Sequence, residues 1–341
     1  MIVTVEDRLA RVAREVDAAM VPYLGDPAGG AVLDEMLRDY PGRGGKGLRP
    51  AILLATCEAF GGLEQDARPV AVAIELLHNA LLIHDDIEDE SDRRRNRPTL
   101  HRLWGTAPAI NAGDALAVAA LRPIHDDTLL SSNVRRAVLD EWFTMAGATV
   151  SGQATELDWR SDPIRVVTPD DYLDLILHKT CWYTTIFPLR AGALIATRTA
   201  ARLEDLSRFG FLLGAAFQIR DDLLDLLAVS GDDYGKDAWG DIWEAKRTLA
   251  LIHLLAEADA ADRPELDAYL ARSRSERTTD QVASVRAMMD RTGSVAFAQE
   301  FGRGIAAAAA DAFDVAFGSV PETHHSRFLF DLVGYMLSRP A

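Results

Sequence analysis

Two cysteines, Cys57 and Cys181, are all that 341 residues carry. That is too few for a disulfide framework or a cysteine-based zinc site, and it points to a reducing, cytoplasmic setting. Positive charge is short as well: 36 Lys and Arg stand against 52 Asp and Glu, for a formal net charge of −16. A nucleic-acid surface needs a basic face, so that class of partner is excluded. No uninterrupted apolar run reaches about 18 residues, which excludes a transmembrane segment. The opening MIVTVEDRLARVAREV has early acids and no apolar core, and does not read as a signal peptide. Alternating strand patterns, a βαβ rhythm, Pro/Gly/Ser-rich linkers and short repeats are also missing. What remains is 48% hydrophobic sequence, enough for a sizeable core. The expectation is one all-α domain over residues 1–341, a single helical bundle.

Apolar residues at helical spacing predict its elements. Thr4 to Met20 reads as an amphipathic helix with Thr4 as its cap, and a second stretch ends near Tyr40. Leu48 to Phe60 is stopped by Gly61-Gly62, and Asp66 opens the next. Further helices are expected over about Thr106 to Leu121, Val134 to Trp159, Asp170 to Trp182, Ile186 to Thr199 and Leu203 to Val229. After a break at 230–241 come Glu244 to Ala258, Pro264 to Arg272, Asp280 to Asp290, Val295 to Phe317 and His324 to Leu337.

Charge is concentrated in His84 to His101, HDDIEDESDRRRNRPTLH. On a helix Asp85 and Asp89 stand at i and i+4, one above the other, with Asp86 beside them. Carboxylates this close repel one another unless a cation sits between them. Oxygen donors suit Mg²⁺, which leaves coordination positions for phosphate oxygens. Arg93, Arg94, Arg95 and Arg97 then offer planar forks for phosphate. The DDxxD pattern occurs three times, at Asp85 to Asp89, Asp170 to Asp174 and Asp221 to Asp225. The middle copy follows Thr168-Pro169 and reads as a helix start, with cap, first-turn proline and acids on the positive end of the dipole. The other two close apolar helices, where buried charge needs compensation. PGRGGKGLRP, residues 41–50, brings backbone close to whatever Lys46 and Arg49 hold. No Ser or Thr follows Lys46, so it is not a nucleotide P-loop. His84, His101 and His125-Asp126-Asp127 read as capping or connecting groups, and Trp239 and Trp243 as packing anchors.

With those residues in view the chain resembles the trans-type isoprenyl diphosphate synthases, the polyprenyl synthetase family, over essentially its whole length. GGKGLRP at 44–50, His78 seven residues before Asp85, RRNRP at 94–98, AINAGDAL at 109–116, GQATELD at 152–158, HKT at 178–180, FQIRDDLLD at 217–225 and GDIWEAKRTL at 240–249 are similar to that family's motifs in order. Three positions depart from them. Asn96 and Ala245 stand where Gly is usual, and Asp237 where Pro is common.

The resemblance implies a helical bundle of the isoprenoid synthase type with a central cavity, and a homodimer. It also implies condensation of an allylic diphosphate with isopentenyl diphosphate, assisted by a small Mg²⁺ cluster of about three ions. By position, Asp85, Asp89 and Asp221 are implied as direct metal ligands, with Asp86, Asp222 and Asp225 as ligands or holders of the water shell. Arg94, Lys179 and Lys236, helped by Thr180, Gln218 and Lys246, are implied to bind the allylic diphosphate. Lys46, Arg49, His78 and Arg95 are implied to hold isopentenyl diphosphate. Ala80 and Leu81, with Leu77 deeper, occupy the chain-length positions. Ala80 leaves space that an aromatic would fill, so products of at least twenty carbons, geranylgeranyl diphosphate first, are expected. Three alternatives stay open: a class I terpene cyclase, an HD-type phosphohydrolase built on His78, His84-Asp85 and His125-Asp126, and an inactive partner subunit.

Overall fold

The computed structural model describes residues 4–25, 31–162, 165–198, 201–227 and 239–338. Lys236 and Asp237 lie outside them. Helix α1 (Val5–Met20) begins as expected at Thr4, whose hydroxyl accepts from the Asp7 amide while the Asp7 carboxylate accepts from the Thr4 amide. α2 (Ala31–Gly42) leads through the glycine loop to α3 (Leu48–Ala59), buried on nearly every residue. α4 (Glu64–Glu88) runs 25 residues and stops at Asp89.

The expectation of no strand needs one correction. β1 (Arg93–Arg94) and β2 (Arg97–Pro98) form an antiparallel hairpin, Arg93 opposite Pro98 and Arg94 opposite Arg97. Its two-residue turn places Arg95 at φ 52° and Asn96 at φ 62°. Two successive positive φ values are what the right-handed twist of a tight hairpin requires, and Asn accepts them better than most residues. The usual glycine is therefore dispensable here.

α5 (Leu100–Trp104), α6 (Thr106–Ala119) and α7 (Arg122–Asp126) follow, then α8 (Ser132–Ser161). α9 (Pro169–Ile176) starts at Thr168 with a reciprocal Thr168–Asp171 cap and Pro169 in its first turn, so the middle acidic copy is a helix start. The break expected between Trp182 and Ile186 is absent. α9 continues through a π-helical stretch, Leu177–Ile186, into α10 (Phe187–Thr197). Pro188 cannot donate to the Thr184 carbonyl and its ring crowds that carbonyl, which favours a wider turn just before it. The Phe187 amide accordingly reaches back to the Trp182 carbonyl, five residues away.

α11 (Leu203–Leu227) carries the third acidic copy. The helix expected over 244–258 starts five residues later, as α13 (Leu249–Glu257), and a short helix, α12 (Gly240–Glu244), precedes it across a turn with Ala245 at φ 54°. α14 (Arg263–Leu270), α15 (Thr279–Arg291), α16 (Ser294–Phe317) and α17 (His324–Ser338) complete the chain.

One apolar cluster joins α1 to α8 with α10, α11, α16 and α17; the other joins α9 and the π stretch to α11–α16. Close approach at the centre depends on glycine. A Cβ at Gly192 on α10 would sit 2.5 Å from the Leu53 carbonyl of α3. A Cβ at Gly152 on α8 would overlap the Lys179 backbone, so Gly152 lets the π stretch lie against α8. Among the described residues no helix is long and apolar enough to cross a membrane.

Candidate active site

The ends of α4 and α11 line one cavity of about 850 Å³, together with α8, α9, the π stretch and the 43–49 loop. Three carboxylates at the end of α4 also face the negative end of its dipole, so each needs a cation or donor. Asp85 lines the cavity, 3.4 Å from both Lys179 Nζ and an Arg94 terminal nitrogen. Asp86 is fully buried and does not line it. The Tyr40 hydroxyl donates to one Asp86 oxygen, and Arg94 donates to the other, through Nε at 2.9 Å and through a terminal nitrogen. In this structure Asp86 therefore anchors Arg94 and the hairpin. Asp89, 3% exposed, accepts from Arg160 and, at 2.9 Å, from Lys246 Nζ. Burial would raise its pKa, but Lys246, Lys179 and Arg160 outweigh burial and hold it below the usual carboxylate range.

Asp221, Asp222 and Asp225 on α11 all line the cavity. Asp222 accepts from the Tyr172 hydroxyl and Gln218 Nε2, each at 2.7 Å. Burial, reinforced by Asp221 next to it, nevertheless pushes its carboxyl up to about 7. Asp225 accepts from the Gly240 and Asp241 amides at 3.0 and 3.1 Å, capping the positive end of α12. Asp241 is raised in turn by burial and by Asp225. By contrast Asp170 is exposed on α9, away from the cavity.

The bases fall into two groups. Lys179, on the π stretch, reaches Glu156 and Asp85; burial opposes its charge, but those two acids raise its pKa. Thr180 donates to Gln218 at 3.0 Å, and Lys246 also reaches Glu244 at 2.8 Å. Lys46, Arg49, His78 and Arg95 line the other part of the cavity. Arg49 donates to Thr184 at 3.0 Å and stacks on the Tyr183 ring at 4.4 Å. His78 lies beside the same ring, and burial, then Arg49, Arg95 and Arg94, hold it neutral. Leu81 lines the apolar wall with Leu82, Val150, Leu157 and Phe217. Ala80, 1% exposed, and Leu77 pack into the core and are not part of that lining.

Sequence reasoning passed over Tyr40, Glu75, Glu156, Arg160, Tyr172 and Glu244. One signal was present: Gln153, Glu156 and Arg160 stand at i, i+3 and i+7 on α8 and so share a face. That face meets the end of α4, with Gln153 on Glu88 at 2.5 Å and Arg160 on Asp89. The histidines do not assemble an HD site. His84 rests on Gly113, 3.4 Å from the Ile110 carbonyl, and the His125 side chain is 87% exposed beside Asp126.

A hard cation fits the acidic end. The donors are all oxygen, four of the six DDxxD aspartates and Asp241 face one space, and burial with neighbouring carboxylates raises Asp222 and Asp241 there. Among the described residues no three acidic, histidine or cysteine side chains stand close enough, as placed, to share an ion. Asp86, Asp89 and Asp225 are drawn instead to protein donors.

The model of the polyprenyl synthetase family matches residues 30–289. The chain belongs to the polyprenyl synthetase family. It is a trans-isoprenyl diphosphate synthase, a transferase that elongates prenyl chains. It is 30% identical to the geranylgeranyl diphosphate synthase of Methanosarcina mazei over 99% of both chains. It is 34% identical to the farnesyl diphosphate synthase of Geobacillus stearothermophilus, covering 75% of this chain and 86% of that one. The polyprenyl synthase of Caulobacter crescentus, whose crystal structure holds calcium and isoprenyl diphosphate, superposes with TM-score 0.86 at 25% identity, over 100% of this chain and 99% of that one.

Proposed function

We propose that this polyprenyl synthetase condenses an allylic diphosphate with isopentenyl diphosphate, with Mg²⁺, and that its main product is geranylgeranyl diphosphate. The observation that carries the reading is the division of one cavity into an acidic end, a separate basic pocket and an apolar wall. Asp85, Asp89 and Asp221 are the proposed ion ligands, with Asp222 and Asp225 supporting them. Asp86 is assigned to holding Arg94. Lys179, Lys246, Thr180 and Gln218, with Arg94 and Lys236, take the allylic diphosphate. Lys46, Arg49, His78 and Arg95 take isopentenyl diphosphate.

The bound ions would neutralise diphosphate as negative charge develops on leaving. Lys179 and Arg94 add fixed positive charge at the same place. The basic pocket orients the second substrate so that its double bond faces the allylic carbon. Leu81, Leu82 and Phe217 exclude water that would quench the allylic cation and house the growing chain. Product length rests on Leu81, which lines the apolar wall and is not aromatic, and on the full-length similarity to a geranylgeranyl diphosphate synthase.

Incubation with isopentenyl diphosphate, an allylic diphosphate and Mg²⁺ tests the reaction, since a cyclase yields hydrocarbon and a phosphohydrolase yields phosphate. Asp85→Ala and Asp221→Ala are expected to lower turnover by orders of magnitude, and Asp170→Ala to leave it nearly unchanged. Comparable losses from all three would defeat the choice between the acidic copies.

A further inference from the structure

Glu75 has no place in the roles above, yet it lies in the pocket assigned to isopentenyl diphosphate. It is 6% exposed, lines the cavity, and its Oε2 has no hydrogen-bond partner. Its side chain and that of Arg95 converge over the glycine loop. A Cβ at Gly45 would meet Glu75 Oε1 at 3.6 Å and an Arg95 terminal nitrogen at 3.2 Å. The charged groups around it are Arg49 from α3, Arg95 from the hairpin turn and Asp17 from α1, with His78 one turn along its own helix. A buried carboxylate in an anion-binding pocket is a paradox unless its charge changes with occupancy.

We propose that Glu75 is the counter-charge of Arg49 and Arg95 while this pocket is empty, and that it takes up a proton from solvent when the diphosphate of isopentenyl diphosphate binds. The inference rests on the pocket assignment above. Before binding, two guanidiniums stand in a half-closed space, and Glu75 offsets their charge through space without pairing directly with either. When the phosphate oxygens claim those forks, an ionised Glu75 would be buried, unpaired and beside a like charge, each of which disfavours its charged form. Burial already raises its pKa in the empty pocket, where only the two arginines oppose that rise. A protonated Glu75 removes the repulsion. Glu75 is thus a positioning residue that makes affinity for the second substrate depend on pH.

The experiment is calorimetric titration of the whole protein with isopentenyl diphosphate in chelator, in two buffers of different ionisation enthalpy. Glu75→Gln, nearly isosteric, cannot take a proton. Wild type is expected to bind roughly one proton more per diphosphate than Glu75→Gln, and Asp17→Asn is expected to keep the wild-type count. Binding that weakens in Arg49→Ala, with equal proton counts in wild type and Glu75→Gln, overturns the proton role alone. Loss of the extra proton in Asp17→Asn instead overturns the choice of Glu75. Absent binding, or binding indifferent to Arg49→Ala, overturns the pocket and the proposal together. Should Glu75→Gln fail to fold, wild-type affinity decides: above the last ionisation of the diphosphate it must fall as pH rises, and a flat profile sinks the idea.

Discussion

His78 shows how far one side chain can be read from its surroundings. It is 8% exposed, its Nδ1 has no hydrogen-bond partner, and burial first and three guanidiniums second keep it neutral. In the unfolded chain imidazole protonates near pH ~6.5. Between that pH and the lower folded pKa the unfolded state binds more protons, so this contribution to stability is present above the unfolded pKa and lost on acidification. His78→Gln cannot titrate and is expected to lose less stability than wild type from about pH 7.5 to about pH 5.5. Denaturant midpoints across that range check it, and parallel curves would mean that His78 takes up its proton equally in the folded and unfolded states. The position of His78 was legible only through the resemblance, in which a residue stands seven positions before the first Asp. Tyr40 and Arg160 were not. Their carboxylate partners are 46 and 71 residues away in sequence, and only the packing of α2 and α8 against the end of α4 brings them together.

Among elements, the helices that follow apolar periodicity were legible nearly to their ends, because α1, α3 and α9 obey caps and glycine stops written locally. Three features were not. The hairpin is two residues per strand, too short for alternation to register. The π stretch hides because its apolar spacing still satisfies a helical pattern, and only Pro188 hints at it. The turn between α12 and α13 hides because its left-handed residue is Ala245 rather than glycine, 5% exposed, just before Lys246. Left-handed backbone brings Cβ against the carbonyl, a strain that the neighbouring Lys246–Asp89 and Lys246–Glu244 pairs must outweigh. Ala245→Gly is expected to stabilise the protein by about 0.5–1 kcal/mol, the relieved strain exceeding the added unfolded-state entropy. A lower denaturation midpoint in that variant would show that the Cβ packs better than it strains.

At the scale of the whole molecule, α8 presents apolar side chains on one face: Phe143 and Val150, seven residues apart, are 62% and 63% exposed, and Val118 on α6 is 73% exposed. If this face seats a second copy of the chain, as the resemblance implies, Phe143→Glu shifts sedimentation from dimer to monomer. Val150 also lines the cavity, so the same helix would seat a partner and wall the product. Product length then turns on what stands opposite α8. The resemblance put weight on Ala80, but α4 turns Ala80 into the core and Leu81 toward the cavity, as the helical period at Asp85 requires. Leu81→Phe is therefore expected to shorten the product below that of wild type, which should stop at twenty carbons when started from dimethylallyl, geranyl or farnesyl diphosphate. Ala80→Phe should instead overpack the core, costing about 1–3 kcal/mol of stability with product length kept. Chromatography of the products of all three proteins separates the possibilities. If Ala80→Phe shortens the chain and Leu81→Phe does not, the growing chain runs past α4 into the core side, and the wall is where the resemblance placed it.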